Sequence, residues 1–200
     1  MGYANAGFDV IGVDLLPQPR YPFEFQQMDA LSIDPQWIAD NFDAVHASPP
    51  CQAYSDMAKL TKRSYPRLIE PTRDLLRASG TPYVIENVEG APLENPVLVC
   101  GVALGLRLGP YVLRRHRLFE SNMKLVGTGC TCHKGDGVTM AVYGGGNSNK
   151  PRTSATSGGR PYKGTADERR AIMEMPWATM AECNEAIPPA YTEFIGKQIA

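Results

Sequence analysis

The sequence predicts an α/β fold with a parallel sheet, and three observations carry that prediction. Short apolar stretches alternate with polar or helical ones over the first two-thirds of the chain, the pattern of strands separated by crossover helices. Polar residues stand at the ends of three such stretches (Asp14, Cys51 and the pair Glu86-Asn87). In open parallel sheets the strand ends are where ligands bind, and packing alone gives no reason to place three polar groups alike. The 200 residues are 43% hydrophobic and 20% charged, enough apolar material for a real core in one domain.

The elements follow in order. Phe8 to Asp14 reads as a strand ending in an acid, and Phe25 to Asp29 as a short second strand. Ser32 to Asn41 has helical spacing, with Ile33, Trp37 and Ile38 on one face and Ser32 as N-cap. Asp43 to Ala47 is a strand that runs into Ser48-Pro49-Pro50-Cys51. Arg67 to Ser79 reads as a helix ended by Gly80, and Tyr83 to Val88 as the next strand. Val97 to Cys100 and Arg117 to Phe119 are later strands. Residues 127–165 are rich in Gly, Ser, Thr and basic residues and predict a loop-rich insert. Helical character returns at Asp167 to Met175, and Pro188 to Gly196 reads as a helix with proline in its first turn. The division expected is a core over 1–120, an insert over 121–165 and C-terminal helices over 166–200.

Composition narrows the function classes. No apolar run approaches the ~20 residues that cross a bilayer, and the N-terminus lacks the basic start and apolar stretch of a secretory signal. Five cysteines in unlike contexts argue against a disulfide scaffold and for a reducing, cytoplasmic setting. Net charge is -1, yet it is unevenly spread. Residues 121–165 hold six basic groups and one acid, a net +5, which leaves -6 for the remainder. A second basic block is Lys59, Lys62, Arg63, Arg67, Arg73 and Arg77, set against Glu70 and Asp74. Such patches either meet a polyanion or simply face water.

Two strand ends carry chemistry. The prolines before Cys51 stiffen the backbone and aim the next side chain toward the cleft. Cys51 is there either a nucleophile or a small buried hydrophobe. A partly buried Glu86 either stays protonated and donates to a ring nitrogen or caps a helix.

Together these residues resemble the DNA (cytosine-5) methyltransferase family, in the short form of its bacteriophage members. The family's Pro-Cys-Gln-x-(Phe/Tyr)-Ser signature stands here as Pro50-Cys51-Gln52-Ala53-Tyr54-Ser55, and Glu-Asn-Val as Glu86-Asn87-Val88. Its Arg-x-Arg-x-aromatic motif is Arg115-His116-Arg117-Leu118-Phe119, and an altered Gly-Asn-x-(Val/Ile)-Pro-Pro motif runs from Cys183-Asn184 to Pro188-Pro189. Four motifs in the family's order are specific, and they extend over essentially the whole chain.

The resemblance implies a Rossmann-like sheet, S-adenosylmethionine as cofactor and a cytosine flipped out of duplex DNA. By it, the Cys51 thiolate attacks C6, Glu86 protonates N3, Asn87 orders the surrounding loop, and Arg115 and Arg117 hold the cytosine carbonyl and the Cys51 loop. Asp14, Asp29, Pro50, Asn184 and Glu185 fall where the family holds its cofactor. Gln52, Ser55, Lys59, Lys62, Arg63, Lys150, Arg152 and Arg160 fall where it meets DNA. The family's first strand and its glycine-rich turn have no counterpart in these 200 residues, because Met1 to Gly7 matches the helix that follows them. That difference leaves two rivals, an inactive DNA-binding remnant and an RNA cytosine methyltransferase. A cognate restriction nuclease is an expected partner; a membrane is not.

Cys130-Thr131-Cys132-His133 places three zinc-ligand types within four residues, with Cys100 or Cys183 as a fourth. Adjacent Cys132 and His133 cannot readily hold one ion, and no second Cys-x-x-Cys exists. The expectation is therefore a loop with free thiols and no metal.

Overall fold

The structure is a computed structural model that describes residues 1–54, 64–133, 135–142 and 161–200. Helix α1 (Gly2–Asn5) opens the chain and lies against the C-terminal helix. Gly2 is required at that crossing. A Cβ there would stand 2.0 Å from Thr192 Oγ1 and 2.1 Å from the Pro189 carbonyl oxygen, and a backbone oxygen cannot swing aside. Strand β1 (Ile11–Asp14) then pairs in parallel with β2 (Glu24–Gln27), from Ile11 opposite Glu24 to Asp14 opposite Gln27.

Helix α2 (Pro35–Asn41) begins three residues later than its spacing predicts. Asp34 is the N-cap, accepting from the Gln36 amide at 2.9 Å, and Pro35 takes the first turn, where its missing N–H costs nothing. Ser32 instead closes a single 3-10 turn over Ala30–Ser32. Ile38 is buried, whereas Trp37 stays more than a third exposed, so the apolar face is narrower than expected.

Strand β3 (Val45–Ala47) runs parallel to β4 (Tyr83–Asn87), which is buried along its whole length. Helix α3 (Ile69–Ser79) connects them. It ends at Gly80, whose φ of +69° is the left-handed C-cap that glycine adopts without strain. After β4 the topology departs from an all-parallel sheet. Strands β5 (Val97–Cys100), β6 (Arg107–Leu108) and β7 (Tyr111–Val112) follow with no helix between them. The chain therefore returns through turns, and β8 (His116–Ser121) pairs antiparallel with both β4 and β5. A parallel pairing needs a long crossover, usually helical, and residues 88–116 supply none. The sheet order is β3-β4-β8-β5, and the protein is a mixed α/β fold.

Strand β9 (Val138–Thr139) adds to β7, and α4 (Ala166–Ile172), α5 (Met180–Glu185) and α6 (Pro189–Ile199) complete the chain. Helices α4 and α5 each begin with a capping box, Thr165 with Glu168 and Thr179 with Glu182. The main core joins Val84, Val99, Phe119, Met140, Met173, Cys183, Tyr191 and Ile195; a second, smaller cluster is Leu76, Tyr83 and Ile85. Strands β1 and β2 contribute to neither. Among the described residues, β1 pairs only with β2 and β3 only with β4, and residues of β1 and β3 line one cleft. No helix among the described residues is long and apolar enough to cross a membrane.

Two members of the second basic block, Arg73 and Arg77, are paired with acids, while Arg67 is exposed. Arg73 is buried and donates to both carboxylate oxygens of buried Glu120, at 2.7 and 2.8 Å. Arg77 pairs with Glu94 at 2.6 Å. In α3 the charge spacing therefore serves the fold: Arg73 faces inward onto β8 because Glu120 is there to receive it. Lys59, Lys62 and Arg63 lie outside the described residues.

Candidate active site

Strands β3 and β4 run side by side, so the residues that follow β3 meet the end of β4. Cys51 is half-buried in the turn after β3, where the Tyr54 amide donates to the Cys51 carbonyl at 3.0 Å. Buried Asn87, the last residue of β4, donates from Nδ2 to the Pro49 carbonyl at 2.8 Å and accepts from the Val88 amide at 3.0 Å. This one side chain ties the Cys51 loop to the strand that carries Glu86.

Glu86 is 6% exposed and accepts from Arg117 Nε at 2.9 Å. Burial pushes its carboxyl above the usual value and outweighs the opposing pull of Arg117, Ser48 and Arg115. Arg117 reaches Glu86 from β8 because the register places Glu86 opposite Phe119, two residues along.

Sequence reasoning missed the groups behind Glu86. Ser48 hydrogen-bonds the Glu86 carboxylate. His46 Nε2 lies 3.0 Å from Ser48 Oγ, and His46 Nδ1 lies 2.7 Å from the Tyr3 hydroxyl. Burial holds the His46 imidazole down to about 4, so it is neutral near pH 7, with one ring nitrogen a donor and the other an acceptor. The signal was present as a histidine between Val45 and Ala47 in a short apolar strand.

The bonds of Arg115 run to the main chain. It is 7% exposed, and its guanidinium donates to three main-chain carbonyls: Val142 at 2.5 Å, Asn184 at 3.0 Å and Ala186 at 2.8 Å. The Tyr191 hydroxyl donates to the Arg115 carbonyl in turn. Arg115 is a strut joining the start of β8 to the end of α5, and its buried Nε has no hydrogen-bond partner among the described residues. Burial brings its guanidinium down to about 10, while the charges of Glu86 and Cys51 act on it in the opposite sense. Cys51, Glu86, Arg115 and Arg117 thus form one electrostatic unit.

Beside Glu86 opens a cleft of about 630 Å³, within the range that holds a nucleoside-sized ligand. Asp14 lines it at the end of β1, with Gln18, His46, Ser48, Trp177 and Glu185. Asp14 accepts from the Leu16 amide at 2.8 Å and from Gln18 at 3.2 Å, which fixes the carboxylate and leaves lone pairs for hydroxyl donors. These residues fit the ribose-bearing part of S-adenosylmethionine. Asp29, Pro50 and Asn184 do not line the cleft. Asp29 instead caps the 3-10 turn, accepting from Leu31 at 3.0 Å. Trp177, which sequence reasoning passed over, is 38% exposed there. Gln52 is exposed; Ser55, Lys59, Lys62, Arg63, Lys150, Arg152 and Arg160 lie outside the described residues.

No protein-family model matches this chain, and no curated protein matches it. Its structure is similar to the crystal structure of a triple mutant of DNMT2 from Spodoptera frugiperda, with a TM-score of 0.55. The similarity covers 99% of this chain and 96% of that one, at 14% sequence identity. At that identity the likeness is one of fold.

Proposed function

We propose that this protein is a cytosine-5 methyltransferase acting on duplex DNA. The observation that carries the proposal is the Asn87 bond to the Pro49 carbonyl, which joins the Cys51 loop to the strand of buried Glu86, whose carboxyl burial shifts upward. The shared fold with DNMT2 supports the cytosine-5 methyltransferase part of this reading, and the choice of duplex DNA rests on the sequence resemblance.

Attack on C6 needs the face of the pyrimidine, which stacking covers, so the cytosine must leave the helix. The Cys51 thiolate then adds to C6, and the displaced electron pair moves through the ring toward N3. Glu86 gives its proton to N3, which relieves that charge and leaves C5 nucleophilic. Arg117 holds the Glu86 carboxyl in place, and Ser48 and His46 provide a hydrogen-bonded path by which it can recover a proton. S-adenosylmethionine, held by Asp14 and Glu185, supplies the electrophilic methyl when bound. A base, water entering the cleft, takes the C5 proton, the electron pair expels the Cys51 thiolate, and the N3 proton returns to Glu86, which restores the ring.

The test is duplex DNA containing 5-fluorocytosine, incubated with the protein and S-adenosylmethionine. Fluorine cannot leave as a cation, so the Cys51 adduct persists through denaturing electrophoresis. Cys51→Ser is expected to give none. Equal trapping by Cys51→Ser would show that Cys51 is not the nucleophile. The same assay on 5-fluorocytosine RNA distinguishes substrates, since adduct on RNA alone would refute the assignment to DNA.

A further inference from the structure

Four side chains from three separate stretches of the sequence converge away from the cleft. The Sγ atoms of Cys100, Cys130 and Cys132 and a ring nitrogen of His116 all lie within 4.8 Å of one another. Cys100, the last residue of β5, stands directly across the sheet from His116, the first of β8. Cys130 and Cys132 come from the loop after β8 that folds back over this pair. The Gly129 amide donates to the Leu98 carbonyl at 3.2 Å, and the Cys100 amide to Thr128 Oγ1 at 2.9 Å.

The spacings suit a tetrahedral ion. Bond lengths of about 2.3 Å to sulfur and 2.0–2.1 Å to nitrogen put tetrahedral ligand atoms about 3.8 Å apart for S···S and 3.6 Å for S···N. Here Cys100 Sγ is 3.4 Å from Cys132 Sγ, and Cys132 Sγ is 3.6 Å from His116 Nε2. The sulfur pair is far beyond a disulfide bond, and all three cysteines are free. The surroundings match a ligand set as well. Glu89 Oε2 lies 3.2 Å from His116 Nδ1, the carboxylate–histidine pairing that turns the other ring nitrogen toward a metal. The Cys132 amide points at Cys130 Sγ from 3.4 Å, as backbone donors do toward thiolates.

We propose that Cys100, His116, Cys130 and Cys132 bind one zinc ion. Three thiolates and an imidazole select zinc over magnesium or calcium, and a complete four-ligand set with no open position marks a structural site. His133 and Cys183, weighed from sequence, are not members. The adjacent pair Cys132-His133 is bypassed because the β5–β8 register delivers His116 instead, while the His133 amide donates to Asp136 at 2.5 Å. The ion would clip the start of the 121–165 segment to the sheet edge, at the residue between Arg115 and Arg117. This site stands independently of the methyltransferase reading.

The test is metal content by plasma mass spectrometry on protein purified under reducing conditions and incubated with zinc chloride before desalting. About one zinc per chain is expected, with release when a mercurial titrates the thiols. Exposed Cys130→Ser and His116→Ala are expected to lower bound zinc about tenfold or more, and Glu89→Gln to weaken affinity about 10- to 100-fold. His133→Ala and Cys183→Ala keep it. Because Cys100 is buried and its replacement can unfold the protein, circular dichroism accompanies each variant and Cys130 serves as the main probe. Zinc-free folded wild type after incubation, a native disulfide among these cysteines under reducing conditions, or full zinc retention in a Cys130→Ser/His116→Ala double variant would each overturn the site.

Discussion

Replacing Glu120 with glutamine tests whether Arg73 serves the fold. Glu120 accepts three bonds, two from Arg73 at 2.7 and 2.8 Å and one from the Glu94 amide at 2.7 Å. The two side chains are only 6% and 3% exposed. Glutamine keeps the shape but places an NH2 group against donors and leaves the buried guanidinium with only half-exposed Glu94, 3.5 Å away, as a close counter-charge. Breaking a buried pair in this way costs about 3–5 kcal/mol. At about 2–4 °C per kcal/mol for a protein of this length, the melting temperature falls by roughly 6–20 °C.

The pH dependence sharpens the test. Burial alone pushes the Glu120 carboxyl up, but the Arg73 and Glu94 hydrogen bonds prevail and hold it below its ordinary 4.5. Its stabilising contribution is therefore complete above that ordinary value and is lost as pH falls through the lowered one. The gap between wild type and Glu120→Gln, measured by urea unfolding at a series of pH values, is expected to close in acid. The double variant Arg73→Met/Glu120→Leu is expected to recover part of the loss, since an apolar pair replaces the ionic one but leaves the Glu94 amide and the Pro92 carbonyl without these partners. A loss under about 1 kcal/mol, the size of an exposed ion pair, or a gap that ignores pH, would refute the reasoning.

Two further outcomes bear on the active site. Asn87→Ala leaves the Pro49 carbonyl unpaired and is expected to cost about 1–3 kcal/mol in unfolding free energy, with a larger loss, about 100-fold, in kcat/KM from misplacing Cys51; Asn87→Asp, which keeps the Val88 bond but cannot donate to Pro49, should share the kinetic loss. The reaction needs neutral Glu86, so activity is expected to fall as pH rises through its elevated value. Arg117 pulls that value down, so Arg117→Gln should move the alkaline limb to higher pH in kcat/KM profiles, and a shift to lower pH would count against Glu86 as the acid.

Much of the candidate site was legible because it is contiguous. Pro50-Cys51 and Glu86-Asn87 each follow an apolar strand and need only local chain direction to reach one sheet edge. The helices ended where their caps predicted when one residue decided the matter, as at Gly80. The start of α2 was misread because Ser32 and Asp34 both offer capping oxygens, and Pro35 decides between them through the first turn. The direction of β8 was not legible, since it depends on what fills residues 88–116 rather than on the strand itself. Arg115 shows the same limit. Its motif marked it as important, but its partners are carbonyls of Val142, Asn184 and Ala186, and main-chain acceptors leave no mark in a sequence.

The sequence by itself determined which chemistry the protein carries: a cysteine and an acid at neighbouring strand ends, two arginines two residues apart, and a cluster of thiols. Those are properties of residue type and short spacing, which a linear reading preserves. Only the tertiary structure decided which of these groups meet. It buried Arg73 against Glu120, buried Glu86 so that its carboxyl is shifted upward, and turned Arg115 into a strut. It also completed the thiol cluster with His116 rather than His133, because antiparallel register sets Cys100 opposite His116, and register is fixed by the packing of the whole sheet.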